Sequence, residues 1–265
     1  GWSQQWRQPL RDALDALRDH AAGVFESAAG ALRDDWAARD DYVEVMSDRS
    51  EAVRTSFVAR HAKHERVDAA RVIDLCELQR FRLAMFTSCG WFFDDVSGIE
   101  TIQILQYAMR AIELASIATG VSLRARFLGD LEQARAAGEG EMSARDVIEK
   151  LVLPAQADAL RIAAAHAILA AFGRPSLPIP AYTVEEHEVR RAKVAGARVA
   201  VGRVSIGSTI TGRRRAFAFV ARHRGGPEVA VALRETAAMR QDIPELDGLV
   251  LGEAGEAAVD ALITG

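Results

Sequence analysis

Three consecutive large aromatics followed at once by two carboxylates, Trp91-Phe92-Phe93-Asp94-Asp95, form the most chemically suggestive stretch of this sequence. They come directly after Thr87-Ser88-Cys89-Gly90 and lie between two strong helix patterns, so they occupy a connection or a bend. A flat ring packs on the apolar face of a pyranose, and a carboxylate accepts hydrogen bonds from hydroxyls. Trp91, Phe92 and Phe93 are therefore candidate stacking surfaces, with Asp94 and Asp95 as hydroxyl acceptors. A plainer reading competes. The three rings plug a core between the flanking helices, and the two carboxylates sit near the next helix N-terminus, where the dipole favours anions. The adjacent aspartates do not suit a catalytic pair. Retaining glycoside hydrolysis places two carboxyls about 5 to 5.5 Å apart across the scissile bond, and neighbouring side chains usually point apart.

Other residues carry weaker signals. His61 and His64 stand at i, i+3 on an expected helix, a spacing that can ligate a metal, but no third ligand stands out and surface histidines are the simpler reading. His166, in an Ala-rich helix pattern, reads as a satisfied core histidine. His187, between Glu186 and Glu188, reads as half-exposed on a strand. Cys89 comes after a helix C-terminus, a poor place to stabilise a thiolate. Gly202 and Gly207-Ser208-Thr209 mimic a phosphate loop, but a serine stands where the lysine belongs; they read as strand and turn. No serine has a nucleophile elbow around it. Arg213-Arg214-Arg215 reads as a solvated turn.

The elements that must position these groups fall into two stretches. Residues 1–173 read as a helical domain. Leu10, Leu14 and Leu17 mark a first helix. Asp34 to Met46 is a second segment, and Asp48 with Glu51 looks like the capping pair of a third. Asp68 to Ser88 holds Val72, Leu75, Cys76 and Leu83 at helical period. Ser97 with Glu100 is predicted to be the capping box of a helix striped by Ile102, Leu105, Met109 and Ile112, widened by Ile104, Ala108 and Ala115, and ending near Gly120. Leu123 to Ala136 is a further helix, and Gly138 and Gly140 make a loop. Ser143 to Leu153 resumes helix behind a cap completed by Asp146. Pro154 interrupts it, and an Ala-rich helix runs from Ala155 to Phe172. Composition shifts at Gly173, and Pro175, Pro178 and Pro180 resist helix. Residues 174–265 read as a small antiparallel β-rich domain with short C-terminal helices. Its strands are Val184–Val194, Arg198–Ile206, Arg215–Val220 and Val229–Leu233, separated by Gly196, Gly207, Gly212, Gly225 and Gly226. The expected class is α+β.

Composition narrows the partners. Of 265 residues, 49% are hydrophobic and 26% charged, an ordinary globular mix. A net charge of -4 argues against nucleic acid, whose phosphates demand a basic excess. Two cysteines, Cys76 and Cys89, are too few for a secreted disulfide scaffold and suggest a reducing, cytoplasmic compartment. No apolar run reaches the roughly 20 residues that span a bilayer, and no signal peptide is visible. The chain opens at Gly1 rather than methionine, which suggests an excised or processed piece, or a trimmed tag.

The stretch Met85-Phe86-Thr87-Ser88-Cys89-Gly90-Trp91-Phe92-Phe93-Asp94-Asp95, continuing through Ser97-Gly98-Ile99-Glu100 to Gln103, resembles the signature of the domain of unknown function 3536. The opening Gly1-Trp2-Ser3-Gln4, with Trp6, Arg7, Pro9 and Leu10, is similar to the start of that region. Val201-Gly202-Arg203-Val204, with Ser208 and Thr211, resembles its later strand segment. The resemblance implies a region C-terminal to a catalytic barrel of the family-57 glycoside hydrolase type, acting on α-glucan with retention. It implies that the nucleophile and acid lie in that upstream barrel, so no catalytic residue is expected in this chain. The role it implies here is to pack on the barrel and help complete the substrate cleft, with Trp91 stacking and Asp94 or Asp95 holding hydroxyls. A non-catalytic structural or interaction module is the alternative. Neither reading implies a cofactor or a metal ion.

Overall fold

The structure, a computed structural model, describes residues 4–28, 30–93, 95–135, 142–194 and 196–236. The loop expected at Gly138 and Gly140 and the expected C-terminal short helices lie outside them. The chain forms two compact units, Gly1–Gln156 and Ala157–Gly265. The architecture is α+β, with helices first and a four-stranded antiparallel sheet after them.

The first unit contains α1 (Arg7–Ser27), α2 (Asp35–Asp41), α3 (Val43–Ser47), α4 (Glu51–His61), α5 (Ala69–Ala84), α6 (Ile99–Thr119) and α7 (Arg124–Asp130). After these, α8 (Ala144–Val147) runs through a π turn at Ile148–Val152 into α9 (Leu153–Ala155). Two apolar clusters share α1 and α6. Leu10, Leu14 and Leu17 meet Ile104, Leu105 and Met109 in one. Val24 and Phe25 join Ala111, Leu114 and Ala115 in the other, with α5. A helix that serves two cores needs apolar residues on several faces, which explains the broad apolar surface of α6. Gly120 ends α6 in the left-handed conformation, φ 78°.

Local capping departs from expectation in two places. Ser50, not Asp48, caps α4 by accepting the Val53 N–H, while Asp48 accepts the Ser50 N–H. Ahead of α6, Gly98 occupies the cap and Ser97 gives its hydroxyl to Asp95 at 2.7 Å. Ser143 and Asp146 do form the reciprocal capping box of α8. Pro154 sits in the first turn of α9, where its missing N–H is tolerated, so helix continues to Ala155.

The second unit contains α10 (Ala159–Ala171) and the strands β1 (Tyr182–Val194), β2 (Ala197–Ser208), β3 (Arg214–His223) and β4 (Ala230–Thr236), paired in chain order. One face of α10 packs Ile162, Ala163, Ala167 and Ala170 on Ala200, Val204, Phe217 and Phe219 of the sheet. The proline-rich stretch after Gly173 therefore links a helix to the sheet on which that helix packs. A bulge between Glu186 and Glu188 resets the register of β1 against β2. Gly207, expected to separate strands, lies within β2, and the turn instead comes at Thr209 to Arg213, with Gly212 at φ 75°.

Candidate functional site

The aromatic–acid stretch lies where the sequence places it, between α5 and α6, and begins as a 3-10 turn over Ser88–Trp91. The turn is anchored from below and from the side. Gly90 is buried, and its carbonyl accepts a hydrogen bond from Thr101 Oγ1 on α6 at 3.0 Å. A β-carbon at Gly90 would lie 2.5 Å from Ile104 Cγ2, so only glycine lets the turn sit this close to the helix. Arg7 of α1 donates to the Phe92 and Phe93 carbonyls at 3.3 and 2.9 Å. Asp95 accepts the Ser97 N–H at 2.8 Å, and this Asx turn closes the segment.

The three rings separate into two classes. Trp91 is half-buried against the α1–α6 core. Its Nε1 is enclosed without a hydrogen-bond partner among the described residues, and Arg11 lies 5.8 Å from its ring centre. Phe92 and Phe93 are 76% and 52% exposed. They stand edge to face, 5.1 Å apart at 75°, and form a corner with one ring as floor and the other as wall. The tryptophan leans into the core, and the phenylalanines face solvent. Asp95 is exposed, and both its oxygens already take hydrogen bonds from Ser97. Asp94 lies outside the described residues.

Replacing Gly90 with alanine is expected to push the turn off Ile104 and lower stability by about 1–3 kcal/mol, as overpacking does. Thermal unfolding checks this, and an unchanged midpoint would mean that the turn relaxes freely.

The remaining candidates are dispersed. α4 ends at His61, so His64 does not share a helical face with it. His61 is buried against the Phe57 ring and Asp41. Burial holds its pKa below the ordinary histidine value, with Asp41 pulling the other way. Among the described residues no group of three or more His, Cys, Asp or Glu could hold a metal ion. Cys76 and Cys89 are both free thiols, the first buried and the second exposed. The glycines at 202 and 207 are strand residues of β2 rather than a loop opening a helix, so no phosphate cradle forms. His187 reaches Ser205 Oγ at 2.8 Å from the β1 bulge. Among the described residues no helix is long and apolar enough to cross a membrane.

The family model for the domain of unknown function DUF3536 matches residues 2–263. The chain belongs to the DUF3536 family. The match runs through both units, so the aromatic turn and the sheet are parts of one family region. No curated protein and no solved structure matches this DUF3536 chain.

The sequence did not point to a buried charge centre in the DUF3536 helical unit. Glu77 of α5 is almost fully buried. It accepts the Tyr42 hydroxyl at 2.6 Å, Arg49 at 2.7 Å and Arg80 at 2.7 Å. Burial raises its pKa, but the bonds from Arg80 and Tyr42 and the nearby positive charge outweigh burial and leave it below the usual glutamate value. The carboxylate is taken up by partners within this centre, which makes it a tie between α5 and its neighbours rather than a ligand site.

Proposed function

We propose that this DUF3536 region is the C-terminal, substrate-cleft and barrel-packing part of a family-57-like enzyme acting on α-glucan. In this reading the catalytic carboxylates belong to a barrel outside the chain, in the cytoplasm, and the aromatic turn faces carbohydrate. The supporting observation is the exposed Phe92–Phe93 corner on a backbone held by Arg7 and Thr101. Exposed rings on a braced turn suit stacking, because little backbone freedom remains to be lost on binding.

A second reading, a face that docks another protein, is favoured by one feature. The Asp95 oxygens are occupied by Ser97, so they offer a sugar less than an open carboxylate would. Titration with maltooligosaccharides, monitored by tryptophan fluorescence, separates the two. Saturable binding that weakens about tenfold in Phe92→Ala, equivalent to ~1.4 kcal/mol for one lost ring contact, is expected. No binding by this chain, nor by a longer chain that carries the proposed barrel, would favour the docking reading.

A further inference from the structure

α10 ends in a Schellman motif. The Gly173 N–H bonds to the Ala170 carbonyl and the Arg174 N–H to the Leu169 carbonyl, with Gly173 at φ 65°. The motif reverses the chain, and Pro175 and Pro178 stiffen the segment beyond it. Ser176 between them is carried back over its own helix, and its Oγ lies 2.6 Å from His166 Nδ1. On the other side of the same ring, Nε2 lies 3.5 Å from a Glu186 carboxylate oxygen on β1. Arg191, also on β1, lies 3.6 Å from that oxygen and holds its Nε on the Ala170 carbonyl. Phe219 packs edge-on to the imidazole at 5.5 Å and 87°. The histidine is 3% exposed, whereas Ser176 is only half-buried and Leu177 beside it is exposed.

This order dictates the polarity of the ring. A carboxylate 3.5 Å from Nε2 favours the proton there by charge alone, since among the described residues Nε2 has no hydrogen-bond partner. Nδ1 is then the bare lone pair, and the Ser176 hydroxyl donates to it. A serine, a neutral imidazole and an orienting acid in that sequence form the arrangement that activates a hydroxyl as a nucleophile. The ring is used from the opposite side to the commoner triads, but either nitrogen can accept the proton. Burial, opposed by Glu186 and assisted by Arg191, keeps the imidazole pKa below the ordinary histidine value, so at pH 7 the ring is neutral and its Nδ1 lone pair is free to accept a proton.

We propose that Ser176, with His166 as general base and Glu186 as its positioning residue, is a nucleophilic site that takes acyl groups from small carboxylic esters. Oγ attacks the ester carbonyl carbon as its proton passes to Nδ1. The carbon–alkoxy bond breaks, and the leaving alcohol takes that proton. Water then adds to the acyl-serine, giving a proton to Nδ1 that returns to Oγ as the carboxylic acid leaves. Among the described residues the Ser176 and Leu177 N–H groups have no hydrogen-bond acceptor, which leaves them available to a developing oxyanion. This site is independent of the aromatic turn and of the carbohydrate reading.

The test treats the whole chain with a fluorophosphonate probe, which loses fluoride as its phosphorus bonds to a nucleophilic oxygen, and locates the adduct by peptide mass mapping. Label on Ser176 is expected. Its rate should fall about 100-fold in His166→Gln and about tenfold in Glu186→Gln. The wild-type rate should also fall in acid as His166 takes up a proton. Glu186 is exposed, so Glu186→Gln tests the proposal even if the buried histidine variant fails to fold. A folded wild type that leaves Ser176 unlabelled would overturn it. So would equal labelling of wild type and Glu186→Gln across the pH range, which is what a merely structural Ser–His tie would give.

Discussion

Replacing Glu77 with alanine should destabilise the helical unit by about 3–5 kcal/mol, the usual result of removing one partner from a buried ion-pair network. The side chain is 1% exposed, and its carboxylate joins Tyr42, Arg49 and Arg80 in one centre. Without it the buried Tyr42 hydroxyl loses its acceptor and two guanidinium groups lose their counter-charge. Glu77→Gln keeps the shape and an acceptor oxygen, so it should cost less. The pH dependence has a definite sign. The folded pKa lies below the unfolded value near 4.5. The stabilisation is therefore complete above that value and is lost as pH falls through the folded pKa. Urea unfolding from about pH 7 down to about pH 3 measures it. The wild-type curve should fall more steeply in acid than that of Glu77→Gln, and parallel curves would show that Glu77 is not ionised in the native state.

The second large effect belongs to the sheet. Gly202→Ala should lower the stability of the sheet unit by about 3 kcal/mol, at the upper end of overpacking costs. A β-carbon there would run into the Glu188 carbonyl, far inside van der Waals contact, and would meet Phe219 at 3.0 Å. The Glu188 carbonyl lies at the β1 bulge, so the obstacle is backbone fixed by strand pairing and moves only if the register does. Gly207→Ala on the same strand is the comparison. There the β-carbon would meet Thr183 Oγ1 at 2.6 Å, the end of a side chain that can rotate. Its cost should be smaller, about 1 kcal/mol. Thermal unfolding of both variants reads the difference, and equal midpoints would mean that β1 yields at its bulge.

Much of this was legible in the sequence because it depends on local periodicity. The helical pattern of α1, α5 and α6, the stop at Gly120, the Ser143–Asp146 box and four strands rich in β-branched residues each rest on residues within a few positions of one another. So does the aromatic turn, which is marked by composition alone. Its inner division was not legible. Trp91 and Phe92 are adjacent and similarly apolar, and which of them leans into the core depends on Ile104 fitting against Gly90 and on Arg7, far away in sequence, gripping the two carbonyls. The missed cap at Ser97 has the same origin: Asp95 competes for that hydroxyl, and a spacing rule does not weigh competitors. The helix after Gln156 looked like the end of a helical domain by composition, yet its apolar face packs on strands formed later in the chain. Glu77, Ser176, His166 and Glu186 carry no local signature, because their environments are assembled across α5, α10, β1 and the loops between elements. Sequence determined the elements, their order and the place of the aromatic turn. Tertiary packing decided which polar groups lost water and met each other, since burial and charge pairing depend on distances that only the folded chain sets.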